Sequence, residues 1–243
     1  MRGSGRGLRE GGWDRWATVY RFLERLALGR SLERARDQVA HVAGLEMAGP
    51  KPAGPEVAGS ATPWLVVGDG DGRGLAALLE TLPETPFVSV DGSRAMLERA
   101  RHRIPEVDRT RVRWLQVRLP DPLPTEDLQA AGLVTTFFLD CFTPGELTAV
   151  WARLASELRP GGLWLVADFT PPGSLQGWRR LRQGLVLATL YRAFGWTTPM
   201  RSRRLPDLEM PFTAAGWERT WLWRSPGGLT TVTSWRKPGR AER

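Results

Sequence analysis

From Pro63 onward, short apolar runs alternate with helical stretches, and that alternation constrains the fold more than any other feature of the chain. Trp64–Val67, Phe87–Val90, Val112–Val117, Leu133–Leu139 and Gly162–Phe169 read as strands. Between them, Gly74–Thr81, Arg94–Arg103 behind a Ser93 cap, and Glu146–Leu158 behind the Thr143-Pro144 start signal read as helices. Such spacing requires right-handed crossovers, which set the strands parallel and put helices on both faces of the sheet. Trp217–Trp223 and Leu229–Trp235 flank Ser225-Pro226-Gly227-Gly228 and predict an antiparallel hairpin at the sheet edge. The expected fold is α/β: a seven-stranded, mostly parallel sheet with a C-terminal antiparallel hairpin.

Upstream, Trp13–Glu46 reads as helix, with Trp16, Tyr20, Leu23, Leu26 and Ala27 on one face. Gly29 and Ser31 divide it, Gly ending one helix and Ser31 capping the next, Leu32–Val42. Residues 49–62 hold mainly Gly, Pro and Ala, the composition of a linker. The expected organisation is an N-terminal helical cap over 1–48, a linker over 49–62 and the main domain over 63–243.

The net charge of +8 is unevenly spread. Residues 179–243 carry thirteen basic and four acidic side chains, against twelve and sixteen in 51–178. The excess reads as a solvated positive face, or as a surface for an anionic substrate, anionic lipid or RNA. The single cysteine, Cys141, excludes an intrachain disulfide and a multi-cysteine zinc site, and no metal site is expected. No stretch approaches the ~20 apolar residues of a spanning helix, and the Gly/Arg-rich start lacks the apolar core of a signal peptide. A cytoplasmic protein is the expectation.

The richest local signal is WLVVGDGDGRG, residues 64–74, with Gly68, Gly70 and Gly72 between an apolar strand and a helix. At such a corner the backbone turns tightly and lets a ligand approach without a Cβ in the way. The second strand ends in Asp91, about twenty residues on, where a doubly wound fold places a carboxylate to accept from ribose hydroxyls. The pair implies an adenosine-type ligand across the carboxyl ends of the first two strands.

These residues resemble class I S-adenosylmethionine-dependent methyltransferases over roughly residues 62–170. WLVVGDGDGRG resembles their first motif and PFVSVDGSRAMLERAR their second. LVTTFFLDCF, Leu133–Phe142, sits where their fourth strand enters the active site, and LRPGGLWLVADF is close to their fifth-strand entry. Trp13–Tyr20 and Ala214–Trp217 resemble the flanks of small-molecule members such as the ubiquinone/menaquinone biosynthesis methyltransferases. The resemblance implies a Rossmann-like fold, S-adenosylmethionine as cofactor and methyl transfer to a small molecule. It implies that Gly68, Asp69, Gly70, Gly72, Asp91, Gly92, Met96, Arg118, Leu119, Phe137 and Tyr20 hold the cofactor.

The chain departs from the family pattern in three places. The family's acid two residues before the first glycine is here Val66, with Asp69 inside the loop as the candidate replacement. The third-strand Asp that meets the adenine amino group is here Arg118, which cannot accept that hydrogen bond, with Asp121 three residues on as a partner for it. No catalytic signature is visible, and His41 and His102 read as surface or packing residues. Asp140 is the one candidate catalytic group, able to take a proton or orient a hydroxyl, and Cys141 reads as a small buried apolar residue.

The segment 175–208 places Trp178, Tyr191, Phe194 and Trp196 among seven arginines and is the expected substrate wall for an anionic or aromatic molecule. Its apolar stretch Leu185–Leu190 makes a peripheral membrane contact the rival reading. Two other functions stay open. One is a non-catalytic binding module, suggested by Val66 and Arg118; the other is an RNA-directed methyltransferase, suggested by the basic last quarter. No recognisable RNA-binding appendage accompanies that charge, which counts against nucleic acid.

Overall fold

The computed structural model of the chain describes residues 30–48, 62–124, 128–170 and 206–239. Helix α1 (Arg30–Ala48) leads into β1 (Trp64–Val67), α2 (Arg73–Thr81), β2 (Phe87–Asp91), α3 (Arg94–Arg103), the short α4 (Glu106–Arg109) and β3 (Val112–Gln116). After these come β4 (Ala130–Thr136), α5 (Pro144–Glu157), β5 (Leu158–Phe169), the short α6 (Met210–Ala214), β6 (Glu218–Arg224) and β7 (Thr230–Arg236). The seven strands form one sheet in the order β3-β2-β1-β4-β5-β7-β6. Strands β1 to β5 run parallel, β7 pairs antiparallel with β5, and β6 pairs antiparallel with β7 at the edge.

Side chains alternate across this sheet, as the period-two rule requires. Leu65, Val67, Trp164 and Val166 enter one core layer, whereas Trp64, Val66, Leu163, Leu165 and Ala167 enter the other. The first layer is covered by α5 and the segment around α6, where Trp151, Phe212, Trp217 and Trp235 pack in edge and stacked contacts around Trp164. Trp164 is wholly buried, and its indole N–H donates to Thr135 Oγ1 at 3.0 Å. Truncating such a residue to alanine costs about 3–5 kcal/mol.

The second layer is closed by α1 and α2. Helix α1 packs on α2, β5 and β7. It is pinned near both ends: the Ser31 hydroxyl lies 3.3 Å from that of Thr230, and Glu46 pairs with Arg236. The helix runs to Ala48, beyond the expected Val42, and Ser31 sits within it rather than capping it.

Expected and observed elements coincide closely elsewhere, with Arg94–Arg103 matching and Ser93 accepting from the Met96 N–H. Thr143 and Glu146 form a reciprocal capping box at the start of α5. The fourth strand is the exception. It runs Ala130–Thr136 rather than Leu133–Leu139, because Phe137 adopts φ 51° and turns the chain out of the sheet. Apolar Phe137, Phe138 and Leu139 look like strand by hydrophobicity, but they lead into a tight 3₁₀ turn, Leu139–Cys141. The fifth strand begins at Leu158, four residues before the expected Gly162.

Candidate functional site

The strand order reverses between β1 and β4, and the carboxyl ends of these strands form the crevice where doubly wound folds bind ligands. Three loop glycines leave β1 with positive φ, and each faces something different. A Cβ on Gly68 would run into the ring of Phe138, and one on Gly72 into Ala100 of α3. Among the described residues, a Cβ on Gly70 would meet nothing within 4 Å. Gly70 therefore presents bare backbone to open space, while its neighbours serve packing.

Asp91 ends β2 beside this loop. Its Oδ1 accepts from the Ser93 N–H at 2.8 Å, and the carboxylate also accepts from the Gly70 N–H. Burial outweighs these donors and raises its pKa to about 6. The turn after β2 packs beside the end of β3: a Cβ on Gly92 would lie 3.7 Å from Arg118 Cα, and the Val117 N–H donates to the Asp91 carbonyl. Met96 is half-buried in the first turn of α3. Arg118 is exposed and forms no ion pair with Asp121 among the described residues. Leu119 is only 8% exposed and packs in the core layer with Val90 and Leu115.

Asp69 turns back into the protein. Its two oxygens accept from the N–H groups of Gly74 at 3.1 Å and Leu75 at 2.9 Å, so it caps α2, whose own N-cap Gly72 has no side chain. Burial raises its pKa to about 6 against the pull of Leu75, of the Arg36 guanidinium and of Gly74. Arg36 reaches from α1 and is itself 9% exposed, with its guanidinium 5.5 Å from the centre of the Phe137 ring. Val66, where the methyltransferases that the sequence resembles carry an acid, is buried in the sheet.

The ends of β4 and β5 carry a second group of acids. Phe137 donates its N–H to the Ala167 carbonyl, and its ring lies 5.4 Å from that of Phe169. Asp140 follows in the 3₁₀ turn, 4% exposed, and Asp168 ends β5, 3% exposed. Asp168 Oδ2 accepts from the Asp140 N–H at 3.3 Å and Oδ1 from the Phe169 N–H at 2.8 Å. Burial raises the pKa of both acids, and the charge of Asp140 raises that of Asp168 further. Cys141 exposes part of its surface and is not the buried apolar residue expected, and its Sγ lies 3.6 Å from Asp140 Oδ1.

Neither Asp168 nor Arg36 is among the site residues that the sequence motifs single out. Asp168 has a signal: it is the acid that follows the apolar run Leu163–Ala167 at the ligand end of the sheet. Arg36 has none, because its approach to Phe137 and Asp69 depends on how α1 docks. Tyr20, the linker up to residue 61 and the aromatic and arginine segment up to residue 205 lie outside the described residues. His41 and His102 are exposed. No described helix is long and apolar enough to cross a membrane.

This sheet order and glycine-loop crevice define the Rossmann-like class I methyltransferase fold. Residues 65–162 match the family model described as a methyltransferase domain. Among solved structures, the chain is similar to the putative methyltransferase of Haloferax volcanii in complex with the Trm112 methyltransferase activator. The TM-score is 0.63 at 15% identity, covering 96% of this chain and 99% of that one. An O-methyltransferase family protein from Burkholderia thailandensis matches at TM-score 0.60 and 17% identity over 96% of this chain; this chain spans only 65% of that protein's length. The 1,6-didemethyltoxoflavin-N1-methyltransferase of Burkholderia thailandensis, with bound 1,6-didemethyltoxoflavin and S-adenosylhomocysteine, matches at TM-score 0.55 and 18% identity, covering 97% and 93%. No curated protein sequence matches the chain.

Proposed function

We propose that the chain transfers a methyl group from S-adenosylmethionine to a small molecule. The observation that carries this reading is the pairing of Gly70 and Asp91 at the crevice. One offers backbone with open space in front of it among the described residues, and the other a half-buried carboxylate aimed at the same loop. That cradle suits a ribose, whose two hydroxyls are donors for a carboxylate at a strand end. Gly92, Met96 and the Arg118–Leu119 backbone are the candidates for the adenine side, with Phe137 towards β4. The methyltransferase-domain match and the small-molecule enzymes among the structural neighbours support the same reading. A kinship with the ubiquinone and menaquinone enzymes in particular is part of the proposal and rests on the flanking motifs.

When bound, the sulfonium cofactor supplies a methyl group already activated for displacement. The protein's own share is then alignment and the exclusion of water. Gly70 leaves room for the ligand's approach, Asp91 holds the ribose, and the Phe137–Cys141 turn walls the crevice beside β1.

One observation favours a second reading, a retained fold that binds a ligand without catalysis. Val66 is buried where the family places an acid, and the oxygens of Asp69 are both engaged by the start of α2. Calorimetric titration with S-adenosylhomocysteine tests the site directly. The proposal expects binding that Asp91→Ala weakens by ~2–3 kcal/mol, as for hydrogen bonds to a charged group. Absence of wild-type binding overturns it.

A further inference from the structure

Of the buried ionisable groups, Asp140 and Asp168 are the pair that neither the core nor the ribose cradle explains. They lie on the ends of β4 and β5, next to the point where the strand order reverses. The turn bearing Asp140 abuts the glycine loop, since Phe138, two residues earlier, fills the space over Gly68. Both acids are almost wholly buried, and among the described residues neither forms an ion pair.

Their roles differ. The oxygens of Asp168 are taken by backbone N–H groups, those of Phe169 and of the 3₁₀ turn, so Asp168 fixes that turn to the end of β5. The Asp140 carboxylate accepts from its own backbone N–H and from the Cys141 thiol at 3.6 Å, a weak donor, which leaves it able to accept a better one. A buried carboxylate beside a second one resists ionisation, which makes it a stronger base than an exposed aspartate once it is ionised.

We propose that Asp140 is the catalytic base that accepts the proton released by the methyl acceptor, with Asp168 as the positioning residue that holds it beside the crevice. The acceptor atom is then an amine nitrogen or a hydroxyl oxygen, whose N–H or O–H donates to Asp140 before transfer. As the new bond from nitrogen or oxygen to the methyl carbon forms, the carbon–sulfur bond breaks and sulfur keeps that electron pair. The acceptor's proton passes to the Asp140 carboxylate. The inference rests on the methyltransferase reading above.

Binding of two cofactor analogues tests it without a known acceptor. S-adenosylhomocysteine lacks the methyl group, whereas sinefungin carries an amine at that point of the molecule. If Asp140 faces the transfer position, the wild-type chain binds sinefungin about tenfold more tightly than S-adenosylhomocysteine. Asp140→Asn and Asp168→Asn should bring the two affinities together while leaving S-adenosylhomocysteine binding nearly unchanged. Retained preference in Asp140→Asn, equal loss of both ligands, or no wild-type preference despite binding of S-adenosylhomocysteine overturns the assignment. Should wild type bind neither ligand, the cofactor reading itself falls, a result distinguishable from the rest. Asp140→Ala, which removes the carboxylate without an isosteric amide, gives an independent variant if Asn perturbs the turn.

Discussion

The ring of Phe138 occupies the space that a Cβ on Gly68 would need, so the end of β4 and the start of the glycine loop are packed against each other. Gly70, two residues on, has no such neighbour among the described residues. Gly68→Ala should therefore lose stability by more than the ~1 kcal/mol expected for a positive φ alone, because Phe138 must also move. Gly70→Ala should cost only about that 1 kcal/mol yet lower affinity for S-adenosylhomocysteine. Thermal melts beside calorimetric titration separate the two effects.

The raised pKa of Asp91 makes both stability and binding depend on pH. Its carboxyl titrates near 6 in the fold against 3.8 when unperturbed. Between those values the folded state holds more protons, so stability falls as pH rises through the window, by up to about 3 kcal/mol from this group. Ligand binding runs the other way, because ribose hydroxyls need the ionised acceptor. Affinity for S-adenosylhomocysteine should rise from pH 5 to 7.5 in wild type, and much less in Asp91→Asn. Denaturant melts of the ligand-free protein at both pH values check the stability half.

Asp69 holds the first turn of α2, so its removal should act on folding. Asp69→Ala leaves the N–H groups of Gly74 and Leu75 without their acceptor and should cost about 1–2 kcal/mol. Asp69→Asn keeps one acceptor oxygen and should cost less. A melt in which both variants match wild type would show that water satisfies those donors.

Arg118 is exposed beside Gly92, and the Arg118→Asp change restores an acceptor at the end of β3. It should leave the melting temperature nearly unchanged and tighten S-adenosylhomocysteine binding by about tenfold or more, since a hydrogen bond to a carboxylate contributes about 1.5–3 kcal/mol. Equal affinities in the two proteins would place the adenine edge elsewhere.

Most of the sheet was legible because β1, β2 and β3 are short runs rich in β-branched or aromatic residues, and the apolar part of β5 follows the turn signal Pro160-Gly161-Gly162. The misplacement of β4 has a physical cause: Phe137, Phe138 and Leu139 continue the apolar run, and a left-handed φ at an aromatic residue leaves no trace in composition. Asp91 could be read from its distance to the glycines. The roles of Gly68 and Gly72 could not, because they depend on Phe138 and Ala100, which are distant in sequence. Asp69 reads from the sequence as the replacement for the acid missing at Val66, and only the fold shows both its oxygens engaged by N–H groups five and six residues on.

The attachment of α1 at both ends bears on where this chain can be shortened. A fragment starting at Pro63 would look complete by motif, since it keeps every described strand and the whole glycine loop. Without α1, however, Val232, Leu165 and Ala167 would lose their cover, and Thr230 and Arg236 their partners on that helix. Bared apolar surface over a sheet invites self-association. The smallest soluble unit for expression is therefore expected to include residues 30–48, and a shorter one to be recovered as aggregate.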